Sequence, residues 1–361
     1  MNCLRNISST LYKTDLVKKL TDLYMYKGKD FYYEDVLKAY INGIIQETIE
    51  KDTEYASRLL NLKISDSRRA RIVKGNASPK TKDEILLSNL KKVFTIIQKK
   101  GTKLYDDLDD NEFLRLAISV FEGVEPIKYV SYEIEEESTT SLYPEKVRKY
   151  KREEMTEAIR LFKSGLYKNE VEATNMITAF YVDLLHMECF NEHNDFLALI
   201  MLYALLFGQR FNVFKYESFF ELYYKNLDKF RVVTASAGLN WDTGYSSITL
   251  LNNEIIDLML LGYSKTDYRI NDVKFDKAIK KIDNVESAVM KLPQTFTRKD
   301  IKDACPRLSD STINRALENL KAENKIRSNG TGRSATWTKL VENESFQSRI
   351  TQMSLDDVIE D

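Results

Sequence analysis

The residues best suited to chemistry lie in one short segment. Both histidines of the chain, His186 and His193, fall there together with the acids Glu188, Glu192 and Asp195. Imidazole and carboxylate groups are common ligands of divalent metal ions. However, His186 and Glu188 cannot share a helical face at a spacing of two, and the chain has no HxxxH or HExxH pattern. Two interpretations stay open, a metal site gathered by a loop or polar capping of that loop.

The elements around this segment must position it. Residues 173–214 read as a helix, a polar loop of six or seven residues, and a second helix that is apolar throughout. The apolar run Phe196 to Phe207 is twelve residues long, too short to span a bilayer, and predicts a helix buried on all sides. The polar loop therefore lies at the N-terminal end of a fully buried helix.

This layout resembles the Fic (Fido) family, whose signature HxFx(D/E)GNGRxxR lies in a loop between two such helices. Phe190 falls on the phenylalanine of the signature, Glu192 on its acid and Asn194 on its asparagine. The resemblance implies that Glu192 binds magnesium and that Asn194 helps hold the phosphates of ATP at the helix N-terminus. It also implies a transfer of AMP to a protein hydroxyl, with Glu188 at the position of the general base.

The departures from the signature concern the residues that hold phosphate. His193 and Asp195 replace its two glycines, and Phe196 and Leu199 replace its two arginines. Transfer of a nucleotidyl group needs cations and free N–H groups around the phosphates. The signature has histidine at position 188, and a glutamate is a weaker base than histidine. We therefore expect an inactive transfer site with no cofactor; the alternative is a diverged transferase that uses ATP and magnesium.

The resemblance extends over residues 110–340. Alternating residues near 127–135 predict a β-hairpin where the family places the flap that clamps a target peptide, so residues 127–143 are a candidate contact for a protein partner. Residues 216–241 look like the downstream region of the family, and many members end in a winged helix. A toxin–antitoxin component is a further alternative.

The rest of the chain predicts a mainly α protein. Only 5 Pro and 12 Gly occur in 361 residues, which favours long helices. Residues 65–82 lose the helical period and collect Gly, Ser, Pro and six basic residues, which predicts a loop. The predicted organisation is an N-terminal helical region over 1–110, a Fic-like domain over 111–282 with its degenerate motif at 188–199, a winged helix-turn-helix over 283–340, and an acidic tail over 341–361.

The C-terminal module carries the second set of candidate residues. Residues 284–340 read as helix, short strand, helix, helix and two strands, a pattern that resembles a winged helix-turn-helix domain. Ser309 is a good N-cap for a helix with an apolar stripe, which leaves its polar residues free to read base edges or bind phosphates of double-stranded DNA. The candidate DNA-binding residues are Ser311, Thr312, Asn314, Arg315, Arg327 and Arg333, with Lys339 as a further phosphate contact. The alternative is a module for interaction or dimerisation, and a homodimer is possible.

The charge distribution and the cysteine content indicate in which compartment the protein resides and which partners it binds. The formal net charge of −1 conceals eleven basic against five acidic residues from Lys291 to Leu340, followed by one basic against six acidic residues in 341–361. Three widely spaced cysteines suggest neither a disulfide framework nor a zinc site. The N-terminus has no apolar stretch typical of a signal peptide. We expect a cytoplasmic protein that binds DNA and does not enter a membrane.

Overall fold

The computed structural model describes residues 2–7, 13–136, 145–168, 171–306, 308–330 and 335–340, with residues 135, 136, 145, 272 and 275–283 described as backbone only. The predicted mainly α fold is confirmed. The chain forms two compact units, residues 1–270 and 271–361, and the boundary falls within one continuous helix. Among the helices described, none combines the length and the apolar composition that a membrane crossing requires.

The first unit is built from helices and one hairpin. Its helices are α1 (Asn2–Asn6), α2 (Thr14–Gly28), α3 (Asp30–Leu37), α4 (Ile41–Leu59), α5 (Asp66–Val73), α6 (Lys82–Lys100), α7 (Lys103–Asp106), α8 (Asp110–Phe121), α9 (Lys151–Lys168), α10 (Ala173–Met187), α11 (Asn194–Gly208), α12 (Val213–Tyr216), α13 (Phe219–Lys225) and α14 (Leu227–Gly238). Helix α15 (Thr249–Lys291) crosses the boundary. Every residue of α11 from Phe196 to Gly208 is buried, as the apolar run predicted.

The predicted hairpin is present. Strands β1 (Ser131–Glu136) and β2 (Glu145–Tyr150) pair in antiparallel register, with Ser131 opposite Tyr150. The second strand ends beyond the predicted flap of 127–143, and residues 137–143 of that flap lie outside the described residues. The hairpin is joined to α8 by residues 122–130 and leads directly into α9.

Helix α1 is fastened to α10 by one carboxylate. Asp183, fully buried in α10, accepts hydrogen bonds from the backbone N–H of Cys3 at 2.9 Å and of Leu4 at 3.0 Å, and from the indole N–H of Trp241 at 2.7 Å. The first N–H groups of a helix have no partner within the helix, so a buried acceptor at this place satisfies them. The N-terminal helix is thereby held to the central helix of the unit.

Two sequence predictions of secondary structure are wrong. Residues 66–73, predicted as part of a loop, form α5, because Ile72 and Val73 bury against Leu87 and because Arg68 pairs with Glu84. The helical periodicity of the sequence predicts two separate helices over residues 247–262 and 272–291, but both segments belong to the single helix α15. Residues 263–271 contain neither Gly nor Pro, the residues that most often end a helix, and Tyr263 is fully buried.

The second unit follows the predicted order of elements. After α15 come β3 (Thr295–Thr297), α16 (Arg298–Ala304), α17 (Asp310–Ala322), β4 (Ile326–Asn329) and β5 (Thr336–Lys339). The sheet has the order β3-β5-β4 with antiparallel pairs. Ser309 accepts a hydrogen bond from the backbone N–H of Thr312 and so caps α17 as predicted. The core of the unit consists of Val285, Val289, Phe296, Ile301, Ile313, Ala316, Leu317, Leu320 and Ile326.

Candidate functional site

The loop between α10 and α11 is bounded by two residues in the left-handed conformation. Glu188 ends α10 with φ of 46°, and His193 precedes α11 with φ of 60°. This region favours glycine, and a histidine that occupies it costs about 1–3 kcal/mol unless its contacts compensate. The backbone at position 193 therefore retains a conformation suited to the glycine of the Fic signature, although the residue is different.

The contacts of His193 explain how it is accommodated. Its ring stacks on the ring of Phe121, with centroids 4.2 Å apart and planes 10° apart. Its Nε2 atom pairs with Oε1 of Glu125. The imidazole is thus held between α8 and the segment that follows it, where it closes the loop against the body of the unit.

Asn194, predicted to hold phosphate, is bonded within the loop. Its Oδ1 accepts the backbone N–H of Phe190 at 2.9 Å, and its Nδ2 donates to the carbonyl of the same residue at 2.7 Å. Both ends of the amide are therefore occupied by the protein backbone. This arrangement fixes the loop and leaves one lone pair of Oδ1 and one N–H of Nδ2.

The loop is also hydrogen-bonded to the segment that leads into the hairpin. The N–H of Val130 donates to the carbonyl of Cys189 at 3.0 Å, and the N–H of Asn191 donates to the carbonyl of Lys128 at 3.1 Å. The Asn191 side chain accepts from the N–H of Lys128 at 2.8 Å and donates to the carbonyl of Pro126 at 3.1 Å. The loop and the base of the hairpin therefore form one connected backbone structure.

The structure does not gather the predicted metal ligands. Glu188, Glu192 and His186 are exposed, and the ring nitrogen of His193 is paired with Glu125. Over the described ranges, no group of three or more His, Cys, Asp or Glu side chains could hold a metal ion. The geometry of this loop is that of polar capping and hydrogen bonding.

The two positions at which the Fic signature has arginine are buried in this protein. Phe196 is 8% exposed and Leu199 is 5% exposed, and the ring of Phe196 lies 6.3 Å from that of Phe220 on α13. The cavity behind the loop, lined in part by Phe190 and Asn194, has a volume of about 10 Å³, which is room for about one water molecule. Asp195 adds a negative charge in the first turn of α11, where a phosphate would bind. These residues do not fit a magnesium-bound nucleotide.

Sequence reasoning missed a buried carboxylate that supports this closed arrangement. Asp52 on α4 is fully buried, and its Oδ1 accepts the hydroxyl of Ser218 at 2.6 Å and the backbone N–H of Phe220 at 2.9 Å. It thus holds the start of α13, whose Phe220 faces Phe196. Asp52 is one of four acids in the helical pattern of residues 41–59, and nothing in its local sequence signals such a long-range contact.

Asp52→Asn is expected to reduce the decrease in the free energy of unfolding that the wild type shows as the pH rises. Burial raises the pKa of Asp52 from its ordinary 3.8 to about 7, although the bonds from Ser218 and Phe220 lower it. Because the folded state binds this proton more tightly, the stabilisation is complete below about pH 4 and is lost as the pH rises through 7. The wild type should lose on the order of a few kcal/mol over that range. Urea unfolding between pH 4 and 7.5 measures it.

The same decrease in stability with rising pH is expected from Asp30, because burial raises the pKa of its carboxyl group to about 7 as well. The Asp52→Asn variant should therefore retain a smaller decrease in stability with pH than the wild type. An unchanged slope in Asp52→Asn would contradict the assignment, and Asp228→Asn, at an exposed carboxylate, is the matched control.

The predicted DNA-binding residues are divided between free and engaged side chains. Asn314 and Arg315 are exposed on α17, and Arg327 is exposed on β4. The hydroxyls of Ser311 and Thr312 lie 2.9 and 2.8 Å from that of Ser309, so they belong to the helix cap. Arg333 lies outside the described residues. Lys339 donates to the carbonyls of Met290 and Leu292, so its ammonium group is engaged within the unit.

The chain matches no family model and no curated protein. It is similar in structure to a Fic domain-containing signalling protein from Bacteroides thetaiotaomicron. That similarity covers 70% of this chain and 97% of the other, with 12% sequence identity and a TM-score of 0.50. Together with the hairpin and the loop between α10 and α11, this similarity confirms the fold implied by residues 173–214: the chain has the Fic fold.

Proposed function

We propose that this protein is a DNA-binding regulator whose Fic-fold unit does not transfer nucleotides. The observation that carries the proposal is the two-sided character of α17. The helix buries Ile313, Ala316 and Leu317 and exposes Asn314 and Arg315 to solvent. The elements β3, α16, α17, β4 and β5, with the sheet order β3-β5-β4, match the arrangement expected of a winged helix. In that arrangement the second helix of the pair enters the major groove.

The charges around α17 favour an approach to DNA. Asp310, in the first turn of α17, would repel phosphates, but Arg298 and Lys302 lie 3.4 and 3.2 Å from its carboxylate. Its charge is thereby offset within the unit. Arg315 and Arg327 have no ion pair among the described residues, which leaves both guanidinium groups available to bases or phosphates.

The absence of transfer rests on the N-terminal end of α11. Phe196 and Leu199 supply no positive charge, the amide of Asn194 is bonded to Phe190, and Asp195 places a carboxylate where phosphate would bind. Stabilisation of a transferring phosphoryl group depends on cations and N–H donors aimed at it. A label transferred from ATP to the chain or to any lysate protein, and lost in Glu192→Ala, would contradict this part of the proposal.

Arg315→Ala is expected to weaken binding to a selected DNA site by about 10- to 100-fold, because a bidentate arginine contact to a base supplies about 1–3 kcal/mol. Arg327→Ala should weaken binding to all sequences alike and reduce the salt dependence by about one counterion. The site is selected from fragmented genomic DNA, and affinity is measured by fluorescence anisotropy.

Arg231→Ala provides the matched control, since Arg231 is an exposed arginine of the Fic-fold unit. It should bind DNA as the wild type does. Absence of any binding by the wild type at low salt, or an equal loss in all three variants, would overturn the proposal.

A further inference from the structure

A second cationic surface lies in the Fic-fold unit, on α5 and the turn that follows it. The sequence RRAR at 68–71 places three arginines there, and the structure assigns them two different roles. Arg68 forms a fork with Glu84, with Nε and Nη2 at 2.8 and 2.9 Å from the two carboxylate oxygens. Arg69, which is buried, pairs with Asp66. Arg71 is exposed and has no carboxylate partner among the described residues.

Three lysines share this exposure. Lys74 follows Arg71 at a spacing of three and so lies on the same face of the helix. Lys80 lies in the segment that returns to α6, and Lys82 is the first residue of α6. None of their ammonium groups is paired with a carboxylate in the part of the chain that the structure describes. We call Arg71, Lys74, Lys80 and Lys82 the basic stripe.

The small residues beside the basic stripe leave room for a backbone to approach. Ser67 and Ala70 are exposed on the same face of α5 as Arg71 and Lys74, at spacings of three and four. The nearby acids are engaged, because Asp66 pairs with Arg69 and Arg58, and Asp83 accepts the backbone N–H of Lys63. Residues 66–84 contain six basic residues against three acidic residues, so the local charge is positive in a chain with a net charge of −1.

The segment that carries the basic stripe is held rigidly. Glu84 accepts the fork of Arg68 and the backbone N–H of Lys80, and the Arg68 guanidinium also donates to the carbonyl of Ser78 at 2.7 Å. The hydrogen bond from Arg68 and the bonds from the backbone lower the pKa of Glu84 to about 2. A cationic surface fixed in this way loses little conformational entropy when it binds.

We infer that the basic stripe is a second surface through which this protein contacts the phosphates of double-stranded DNA. Two other polyanionic partners fit less well. Within residues 64–84, which carry the basic stripe, no large hydrophobic residue is exposed, so these elements themselves offer no side chain to insert into a membrane and no aromatic platform for unpaired bases. A set of cations without apolar neighbours suits the regular charge of duplex phosphates. This contact goes beyond the proposed role of α17.

The test compares triple variants of the full chain on a 20-base-pair duplex of random sequence, with affinity measured over a range of salt concentrations. Arg71→Ala combined with Lys74→Ala and Lys80→Ala should lower the slope of log affinity against log salt by about 2.7, at about 0.9 for each lost phosphate contact. The control removes the same charge at exposed lysines elsewhere, Lys18→Ala with Lys38→Ala and Lys146→Ala. It should leave the slope unchanged.

An equal slope in the two triple variants would overturn the inference, as would a larger loss of binding to anionic phospholipid vesicles or to single strands than to the duplex. The corresponding triple glutamine variant replaces the alanine variant if thermal melting shows that the latter is unfolded. Arg315→Ala with Arg327→Ala, measured in parallel, separates the two proposals. If Arg315→Ala with Arg327→Ala keeps wild-type binding while the basic-stripe variant loses it, the role of α17 fails and the role of the basic stripe stands.

Discussion

Leu199→Arg is expected to lower the free energy of unfolding by roughly 3–5 kcal/mol, although arginine is the residue that the Fic signature has at this position. Leu199 lies in the buried part of α11 and is 5% exposed. A guanidinium group at this place would have to enter the apolar interior, while Asp195, the acid one turn before it, is exposed to solvent. Burial of a charge in this way is among the most costly single changes. Urea unfolding followed by circular dichroism measures the loss.

The control for this prediction is Leu199→Met, which keeps the volume and should cost less than about 1.5 kcal/mol. Leu199→Arg should also fail to gain affinity for ATP in the presence of magnesium, since the cavity behind the loop holds about one water molecule. A stable Leu199→Arg variant whose melting temperature rises with ATP would contradict both expectations. It would show that the site needs only its cation.

Asp183→Ala is expected to cost about 3–5 kcal/mol, because it leaves two buried backbone donors and one half-buried indole donor without their acceptor. The donors are the backbone N–H groups of Cys3 and Leu4 and the indole of Trp241. We expect residues 2–7 to detach from α10 before the rest of the unit unfolds. Limited proteolysis near the N-terminus, together with urea unfolding, tests this order.

Asp228→Ala is the matched control, because its side chain is 99% exposed and its loss should change stability by no more than about 0.5 kcal/mol. Asp183→Asn should fall between the two, since it keeps one acceptor oxygen and turns the other into a donor. Equal stability of Asp183→Ala and Asp228→Ala would contradict the role assigned to Asp183.

The sequence was most informative where one element carries its own pattern. The apolar run of α11, the Ser309 cap and the stripe Ile313, Ala316, Leu317 and Leu320 each depend on neighbours within a few residues, and each was predicted correctly. The hairpin was likewise found from alternation alone. These signals are local, so one sequence is sufficient to detect them.

The sequence was uninformative where a partner lies far along the chain. Helix α5 looked like a loop because its stability depends on Glu84 and Leu87, which lie in another element. Asp52 and Asp183 are acids within helical patterns, and their donors lie some 166 and 180 positions away. His193 could be read as a metal ligand because neither Glu125 nor Phe121 is identifiable as its neighbour from spacing.

Helix α11 has a consequence for how such a protein can change over evolutionary time. From Phe196 to Gly208 each side chain is enclosed by other parts of the unit, so substitutions there must preserve volume and apolar character. The exposed residues Glu192 and Asp195, which come just before Phe196, carry no such constraint. A lineage could therefore acquire or discard chemistry at these residues while the scaffold that supports them persists unaltered.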